Sequence, residues 1–158
     1  MLIAALAKGG RILKIPAYTE AAVRAANFLF QELRDEKGRL LARYRDKEAA
    51  LKAYLDDYAF LAWGFLELYE TTFSPGFLKK AASLTEEMSA LFWDGERGGF
   101  FFTGHDAEEL IARPVEAYDG AIPSGNSVAA LNLLRLAHLT GKSAYSADAQ
   151  IKNTKQIQ

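Results

Sequence analysis

Residues Arg113 to Leu139, RPVEAYDGAIPSGNSVAALNLLRLAHL, decide the fold of this chain because a polar loop here runs directly into an apolar helix. The loop carries two carboxylates, Glu116 and Asp119, among Pro and Gly residues that favour an irregular backbone. Ser124 or Asn126 can cap the helix that follows, whose first N–H groups have no partner within the helix. Such a helix start is partly positive and suits an anion or a hydroxylated ligand. The stretch therefore predicts a binding site without specifying its chemistry.

A second apolar segment lies earlier in the chain and repeats this arrangement. The sequence YAFLAWGFLELY, Tyr58 to Tyr69, has no charged residue before Glu67, so it predicts a helix buried on nearly every side. We expect this helix to run from about Asp57 to Thr71, and the later one from Val128 to Leu139, ending at Gly141. The two segments align 68 residues apart, which indicates a repeated helical unit.

The remaining predicted helices differ from these two because each of the long ones has one polar face. One runs from about Thr19 to Leu33, and the other from Pro75 to Phe92 with Ser74 as its N-cap. A further helix, Leu2 to Lys8, is expected to stop at Gly9 and Gly10. The sequence thus alternates polar-faced helices with buried ones.

Turns separate each polar-faced helix from the buried helix after it. The turn Asp35–Gly38 leads into a predicted short strand, Arg39–Tyr44, and the segment Trp93–His105 predicts a small β-hairpin. The expected fold is all-α: antiparallel helical hairpins with short β-hairpins in the outer-to-inner loops. About two and a half hairpins occupy a single domain, residues 1–150, and residues 151–158 form a polar, frayed tail.

Alternating helices place the starts of the buried helices at one end of the molecule, which we call the inner-helix face. The segments expected there are Asp56 and Asp57, the Arg39–Tyr44 strand, the Trp93–His105 hairpin and the Glu116–Asn126 loop. Paired carboxylates around a cleft are what glycoside hydrolysis requires, one as a general acid and one as a base or nucleophile. Glu116 and Asp119 are therefore the candidate catalytic residues.

Six residues are predicted to contact a ligand on this face, namely Asp56, Asp57, Tyr58, Tyr118, Ser124 and Asn126. The tyrosines offer aromatic rings to a sugar, and the other side chains offer hydrogen bonds to its hydroxyl groups. Purely structural roles remain open for the polar residues. Asp56, Ser124 and Asn126 can cap helices, Asp57 can complement a helix dipole, and Glu116 can pair with Arg113.

Composition excludes several classes of function. The chain of 158 residues has 19 basic and 20 acidic side chains, so its net charge of −1 gives no reason to expect a nucleic-acid partner. It has no cysteine and two histidines, which leaves little for a metal site, and we expect no cofactor. The apolar opening is too short to cross a bilayer and lacks the features of a signal peptide. We therefore expect a cytoplasmic protein without a membrane partner.

Three segments resemble a known family. They are YLDDYAFLAWGFLELYE from Tyr54, FWDGERGGFFFT from Phe92, and the long stretch from Arg113 to Gly141 with its PSGNS run. These are similar to the C-terminal part of the YyaL-type, thioredoxin-domain-containing proteins related to spermatogenesis-associated protein. The resemblance covers most of residues 1 to about 148. It implies an (α/α)6 toroid like that of six-hairpin glycosidases and N-acylglucosamine 2-epimerases, in a family without an assigned activity.

Two departures from that family limit what the resemblance implies. The chain has neither a CxxC motif nor a βαβ pattern, so no thioredoxin-like part and no redox role are transferred. It holds about two and a half hairpins where a closed ring needs six, so we expect a part of a ring whose open edges expose apolar helix faces and promote self-association. The similar epimerases use histidines, but only His105 is expected near the inner-helix face, which disfavours that chemistry.

The sequence leaves two functions open. In the first, the complete form of the toroid binds or processes a carbohydrate at the inner-helix face. In the second, the chain is a non-catalytic helical-repeat scaffold or protein-interaction module, because helical repeats perform this role without any chemistry.

Overall fold

The computed structural model describes residues 1–107, 113–116 and 118–145. Five helices and one two-stranded sheet are found there: α1 (Leu2–Leu13), α2 (Pro16–Glu32), β1 (Leu41–Arg45), β2 (Glu48–Lys52), α3 (Leu55–Thr72), α4 (Pro75–Phe92) and α5 (Gly125–Thr140). Residues 143–145 are also helical. The predicted polar tail, residues 151–158, lies outside the described residues. No helix in the described ranges combines the length and apolarity needed to cross a bilayer.

The helices form two layers. In the inner layer α3 lies between α1 and α5, while α2 packs on α1 and α4 packs on α3 as the outer layer. The inner helix α3 is buried along most of its length, whereas α2 buries only Ala22 and Ala26. This difference follows from composition, because an amphipathic helix covers a core with one stripe and an apolar helix needs neighbours all round. The predicted all-α fold of helical hairpins is confirmed.

The core lies between the two layers and is continuous from α1 to α5. Its largest fully buried side chains include Phe65, Phe92 and Leu133. Gly64 allows α1 and α3 to approach closely, because a Cβ atom there would lie 3.1 Å from Cγ2 of Ile3. The inner helices therefore form a closely packed row.

The prediction that α1 stops at Gly9 and Gly10 is wrong. The helix continues to Leu13 and is capped by Lys14 in the left-handed conformation, with φ of 55°. Gly10 is buried inside the helix, where a Cβ atom would lie 2.9 Å from the backbone nitrogen of Thr19. This glycine is present because the α1–α2 corner is tight, and tertiary packing outweighs the low helix propensity of glycine.

The two outer-to-inner connections differ more than the sequence predicts. The first contains the antiparallel pair β1–β2, close to the predicted Arg39–Tyr44 strand. The second, Trp93–His105, is not a hairpin of strands, because Trp93 and Phe100 form one isolated bridge. The Asp94 N–H donates to Gly99 O and the Phe101 N–H donates to Phe92 O, one on each side of this bridge, whereas the Phe102 N–H bonds outside the turn, to Pro114 O. The ladder ends here because Phe92 is the last residue of α4 and no strand precedes it.

Candidate functional site

The start of α5 is organised by a serine cap and one carboxylate. Oγ of Ser124, the N-cap residue, accepts the N–H of Ser127, so the helix begins at Gly125, earlier than predicted. Asp119 Oδ1 accepts the N–H of Ser124 at 2.8 Å, and its Oδ2 accepts the hydroxyl of Ser127 at 2.9 Å. These two bonds lower the pKa of Asp119, the Ser124 N–H contributing most. Asp119 is thus an ionised group that ties the loop to the helix.

The starts of α3 and α5 touch through Asp56 and Gly125. The Asp56 carboxylate lies against the backbone of Gly125, whose N–H favours the ionised form and so acts to lower the pKa of Asp56. Gly125 is buried, and a Cβ atom there would overlap Asp56 Oδ1 and lie 3.0 Å from Cγ of Leu55. Only glycine allows this approach. The expectation that the inner helices begin on one common face is therefore confirmed for these two helices.

Two other carboxylates act on Asp56 at this contact. Burial raises the pKa of Asp56, and the negative charges of Glu116 and Asp57 raise it further. Burial also raises the pKa of Asp57, against the opposing effects of the Tyr54 N–H, 2.9 Å from Oδ2, and of the Arg39 charge. The Asp57 bond closes the first turn of α3, whose N-cap is Tyr54. The pKa values of Asp56 and Asp119 are thus shifted in opposite directions.

Glu116 is exposed, and its carboxylate accepts no hydrogen bond from another described residue. The pairing with Arg113 that its sequence position allows is not formed. Arg113 Nη1 instead donates to Nδ1 of His105 at 2.7 Å, and Nη2 donates to the Thr103 carbonyl. The guanidinium carbon also lies 4.2 Å from the centre of the Phe101 ring. Glu116 is therefore an exposed carboxylate whose negative charge acts on Asp56.

Asn126 is used inside the protein. Its Oδ1 accepts the Phe100 N–H at 2.8 Å, and its Nδ2 donates to the carbonyls of Phe100, at 3.0 Å, and Glu116, at 2.8 Å. Only 6% of the residue is exposed. Both amide hydrogens are thus occupied, which leaves Asn126 without a donor for the predicted ligand contact.

The two predicted tyrosines lie in opposite environments. Tyr58 is fully buried, and its hydroxyl accepts the N–H of Leu40 at 3.2 Å and Nη1 of Arg39 at 3.0 Å. It therefore does not reach a ligand on the surface of this structure. Tyr118 is 87% exposed on the loop and is accessible.

Tyr54 is a third aromatic residue on this face, and sequence reasoning did not select it. Its ring stacks on Phe102 with 4.8 Å between centroids and an interplanar angle of 12°, and 40% of Tyr54 is exposed. The Leu55 N–H, 3.0 Å from the Phe102 carbonyl, holds this pair at the start of α3. The sequence would have pointed to Tyr54 if the start of α3 had been placed at Leu55, two residues before the predicted start, because Tyr54 is then the N-cap residue. A half-exposed aromatic pair beside carboxylates suits the apolar face of a sugar ring.

Arg39 is the second residue that the sequence did not single out. Its side chain donates to Asp106 Oδ2 at 3.1 Å, to Tyr58 Oη at 3.0 Å and to the Ala53 carbonyl at 3.0 Å. It lies beside an open cavity of about 550 Å³, lined also by Lys52 and by the turn after α2. Its donors are occupied, so Arg39 joins the two outer-to-inner connections and offers no free hydrogen bond to an anion.

The described residues contain no group of three or more histidine, aspartate or glutamate side chains arranged to hold a metal ion. His105 donates from Nε2 to the Trp93 carbonyl at 3.1 Å and accepts from Arg113 at Nδ1, which fits the tautomer protonated on Nε2. His138 lies in the last turn of α5, far from the inner-helix face.

Similar proteins were found by sequence, although no family model matches the chain. Spermatogenesis-associated protein 20 of Rattus norvegicus is 33% identical over 151 residues, which covers 89% of this chain and 19% of that protein. An uncharacterised protein of Caenorhabditis elegans is 31% identical over 157 residues, covering 94% of this chain and 21% of that protein. The human spermatogenesis-associated protein 20 is 43% identical over 89 residues, or 56% of this chain and 11% of that protein.

The chain therefore spans about a fifth of the length of the first two relatives. Among solved structures, the crystal structure of D-mannose isomerase matches with a TM-score of 0.73 and 15% sequence identity. That match covers 98% of this chain and 39% of the isomerase, and it shows a shared fold. The chain thus matches one segment of the spermatogenesis-associated protein 20 family and carries part of the α/α-toroid fold.

Proposed function

We propose that the inner-helix face binds a carbohydrate, in this chain and in the longer proteins that contain such a segment. The observation that carries the proposal is the contact between Asp56 and the start of α5, which holds a partly buried carboxyl near the exposed carboxylate of Glu116. The fold is shared with a protein named D-mannose isomerase, which supports a sugar as the ligand. Processing of that sugar would use the same two carboxylates.

The chemistry follows from the different environments of the acids. A carboxyl group whose pKa is raised can donate a proton to a leaving oxygen near neutral pH, and an ionised carboxylate nearby can act as base or nucleophile. Asp56 fits the first role and Glu116 the second. In this proposal Asp119, whose oxygens bind Ser124 and Ser127, fixes the loop instead of serving as the second catalytic group.

The charges around the site favour a neutral, hydroxyl-rich ligand. Among the described residues, the acidic side chains at this face are Asp56, Asp57, Glu116 and Asp119. Arg113 binds His105 and the Thr103 carbonyl, so it is not free to pair with a phosphate or a uronate. Carboxylates accept hydrogen bonds from sugar hydroxyls, and the Tyr54–Phe102 pair offers a ring face. Phosphorylated sugars are disfavoured by like-charge repulsion.

The test is an NMR titration of the 158-residue chain with D-mannose, D-glucose and N-acetyl-D-glucosamine. We expect the amide signals of Tyr54, Gly125 and Ser127 to shift with at least one sugar, and Asp56→Asn or Glu116→Gln to weaken that response. Glu20→Gln is the matched control, because Glu20 is an exposed residue of α2 at the other end of the inner helices. The proposal fails if no neutral sugar shifts these signals while the chain stays folded.

A non-catalytic scaffold is the second candidate, and one observation favours it. Tyr58, Ser124 and Asn126, three of the predicted ligand contacts, direct their polar groups to the fold itself. A helical-repeat module needs such internal bonds and no ligand. Unchanged NMR spectra with every sugar, together with binding of a second protein through α1 or α5, would favour this function over the first.

A further inference from the structure

We propose that Asn126 is a positioning residue, which holds Glu116 opposite Asp56 from the first turn of α5. The importance of this role for catalysis rests on the proposed function, whereas the hydrogen bonds of Asn126 are independent of it. Two consecutive residues of one helical turn carry the arrangement: Gly125 lies against the Asp56 carboxylate, and Asn126 binds the Glu116 carbonyl through Nδ2 at 2.8 Å. The Asp56 carboxylate and the backbone of Glu116 are therefore both held at the same helical turn.

The identity of the residue follows from what it must bind. Asn126 meets one backbone N–H and two backbone carbonyls, and its amide supplies one acceptor and two donors in a single plane. Aspartate would lack the donors, and serine would lack both the second donor and the reach. Phe100, which accounts for two of these three bonds, belongs to the turn after α4. Asn126 thus joins that turn, the Glu116 loop and α5.

Removing the amide should change the electrostatics of Asp56. The charged groups that act on Asp56 are Glu116 and Asp57, while the N–H of Gly125 stabilises its ionised form and Arg39 acts on Asp57. Without Asn126 the Glu116 segment loses its bond to α5, so its charge moves away from Asp56. The pKa of Asp56 should then fall toward the ordinary aspartate value. A residue that served stability alone would leave this pKa unchanged in the folded protein.

The experiment is an NMR titration of the side-chain carboxyl carbons in Asn126→Ala and Asn126→Ser, with Asn132→Ala as the matched control. Asn132 is another fully buried asparagine of α5, and its Nδ2 donates to the Ala59 carbonyl at 2.8 Å. Both substitutions remove a buried amide, but Asn132 makes no bond to Glu116. We expect a downward shift of the Asp56 midpoint in the Asn126 variants and a wild-type midpoint in Asn132→Ala.

The variant Glu116→Gln identifies the route of the effect. It removes the charge without touching the buried amide, so it should shift the Asp56 midpoint in the same direction as Asn126→Ala. In the Glu116→Gln background, Asn126→Ala should produce no further shift. An additional fall there would show that Asn126 acts on Asp56 by another route and would overturn the proposal, as would equal midpoints in wild type and the folded Asn126 variants.

A measurement on the unmodified chain keeps the proposal testable if the Asn126 variants do not fold. Both Nδ2 hydrogens of Asn126 are bonded to carbonyls in a residue that is 6% exposed, so their exchange with solvent should be slow. Exchange as fast as that of an exposed side-chain amide would contradict the arrangement. No sugar is needed for any of these measurements, so their outcome is independent of whether the face binds a carbohydrate.

Discussion

Tyr58 in α3 and Asn126 in α5 hold the backbone in the same way, although one is a phenol and the other an amide. The hydroxyl of Tyr58 accepts the N–H of Leu40 at 3.2 Å, and Oδ1 of Asn126 accepts the N–H of Phe100 at 2.8 Å. Leu40 and Phe100 each close a bridge to the end of the preceding outer helix. The two residues are 68 positions apart, as in the sequence alignment of the inner helices. The repeat therefore extends to individual hydrogen bonds.

Gly125→Ala should destabilise the protein. The new Cβ would overlap Asp56 Oδ1 and lie 3.0 Å from Cγ of Leu55, so either α3 or α5 must move. Overpacking of this kind costs about 1–3 kcal/mol, which chemical denaturation can measure. Gly95→Ala is the control, because a Cβ atom at Gly95 would meet nothing within 4 Å. Equal stability of the two variants would show that the inner helices do not approach closely at this point.

Glu67→Gln should also destabilise the protein. The Glu67 side chain is 7% exposed and accepts from Arg135 Nη1 at 2.9 Å and from Trp63 Nε1 at 3.1 Å. Glutamine keeps one acceptor oxygen, and Arg135 keeps Glu70 as an ionic partner at 2.5 Å, so we expect the missing charge to cost about 1–3 kcal/mol.

The matched control for this substitution is Glu20→Gln. The Glu20–Arg24 pair is 3.9 Å apart and about 70% exposed on both sides, and exposed pairs contribute about 0–1 kcal/mol. Denaturation midpoints of both variants are to be compared with wild type at one pH. A loss for Glu67→Gln no larger than that for Glu20→Gln would contradict the burial of this network.

The Asp56→Asn variant should become more stable relative to wild type as the pH rises. Because the folded pKa of Asp56 is raised, the folded state retains a proton that the unfolded chain loses at its ordinary pKa of about 4. Wild-type stability from this group is therefore complete at acid pH and declines as the pH rises through the folded pKa. The free energy of unfolding of the variant relative to wild type, measured from pH 3 to 7, should increase. A flat difference would refute the raised pKa.

Asp119→Asn should show the opposite pH dependence. The folded pKa of Asp119 is lowered by the Ser124 N–H and the Ser127 hydroxyl, so its contribution is present above the ordinary aspartate value and is lost as the pH falls. The variant should be less stable than wild type at pH 7, and this deficit should shrink toward acid pH. Denaturation at the same series of pH values makes the comparison. A deficit independent of pH would mean that the Asp119 charge is not involved.

Self-association is expected from the apolar residues at the two sides of the inner row. Ile12 and Leu13 on α1, and Leu131 and Leu134 on α5, are all exposed large apolar side chains. Contiguous exposed apolar surface favours contact between molecules. Light scattering should therefore give a molar mass above 17.4 kDa that rises with concentration.

Charged substitutions on this surface provide the test of that expectation. Leu13→Glu and Leu134→Glu should reduce the apparent mass, whereas Tyr118→Glu, at an exposed residue of the loop before α5, should not. A monomeric wild-type chain at all concentrations would contradict the expectation. Equal effects of all three substitutions would point to charge in general as the cause and not to the edges of the inner row.

Local sequence signals predicted the elements that depend on neighbouring residues. Pro75 after Ser74 marks the start of α4, and Gly141, with φ of 70°, ends α5, both as expected. The apolar run from Tyr58 predicted the buried helix α3. Its start was misplaced by two residues because Asp57 bonds back to the Tyr54 N–H, and sequence alone does not distinguish that bond from a cap at Asp56. Caps and periodicity act over a few residues, so they can be read from the chain.

The sequence by itself determined the alternation of inner and outer helices, and with it the convergence of acidic residues at one face, because hydrophobic burial follows periodic patterns. Only the tertiary structure decided which polar groups remain free for a ligand. Asn126 and Tyr58 bond to Phe100 and Leu40, and Asp56 meets Gly125 across two helices. These partners are up to 69 residues apart in sequence, and hydrogen bonding and desolvation depend on distances in space that no local pattern records.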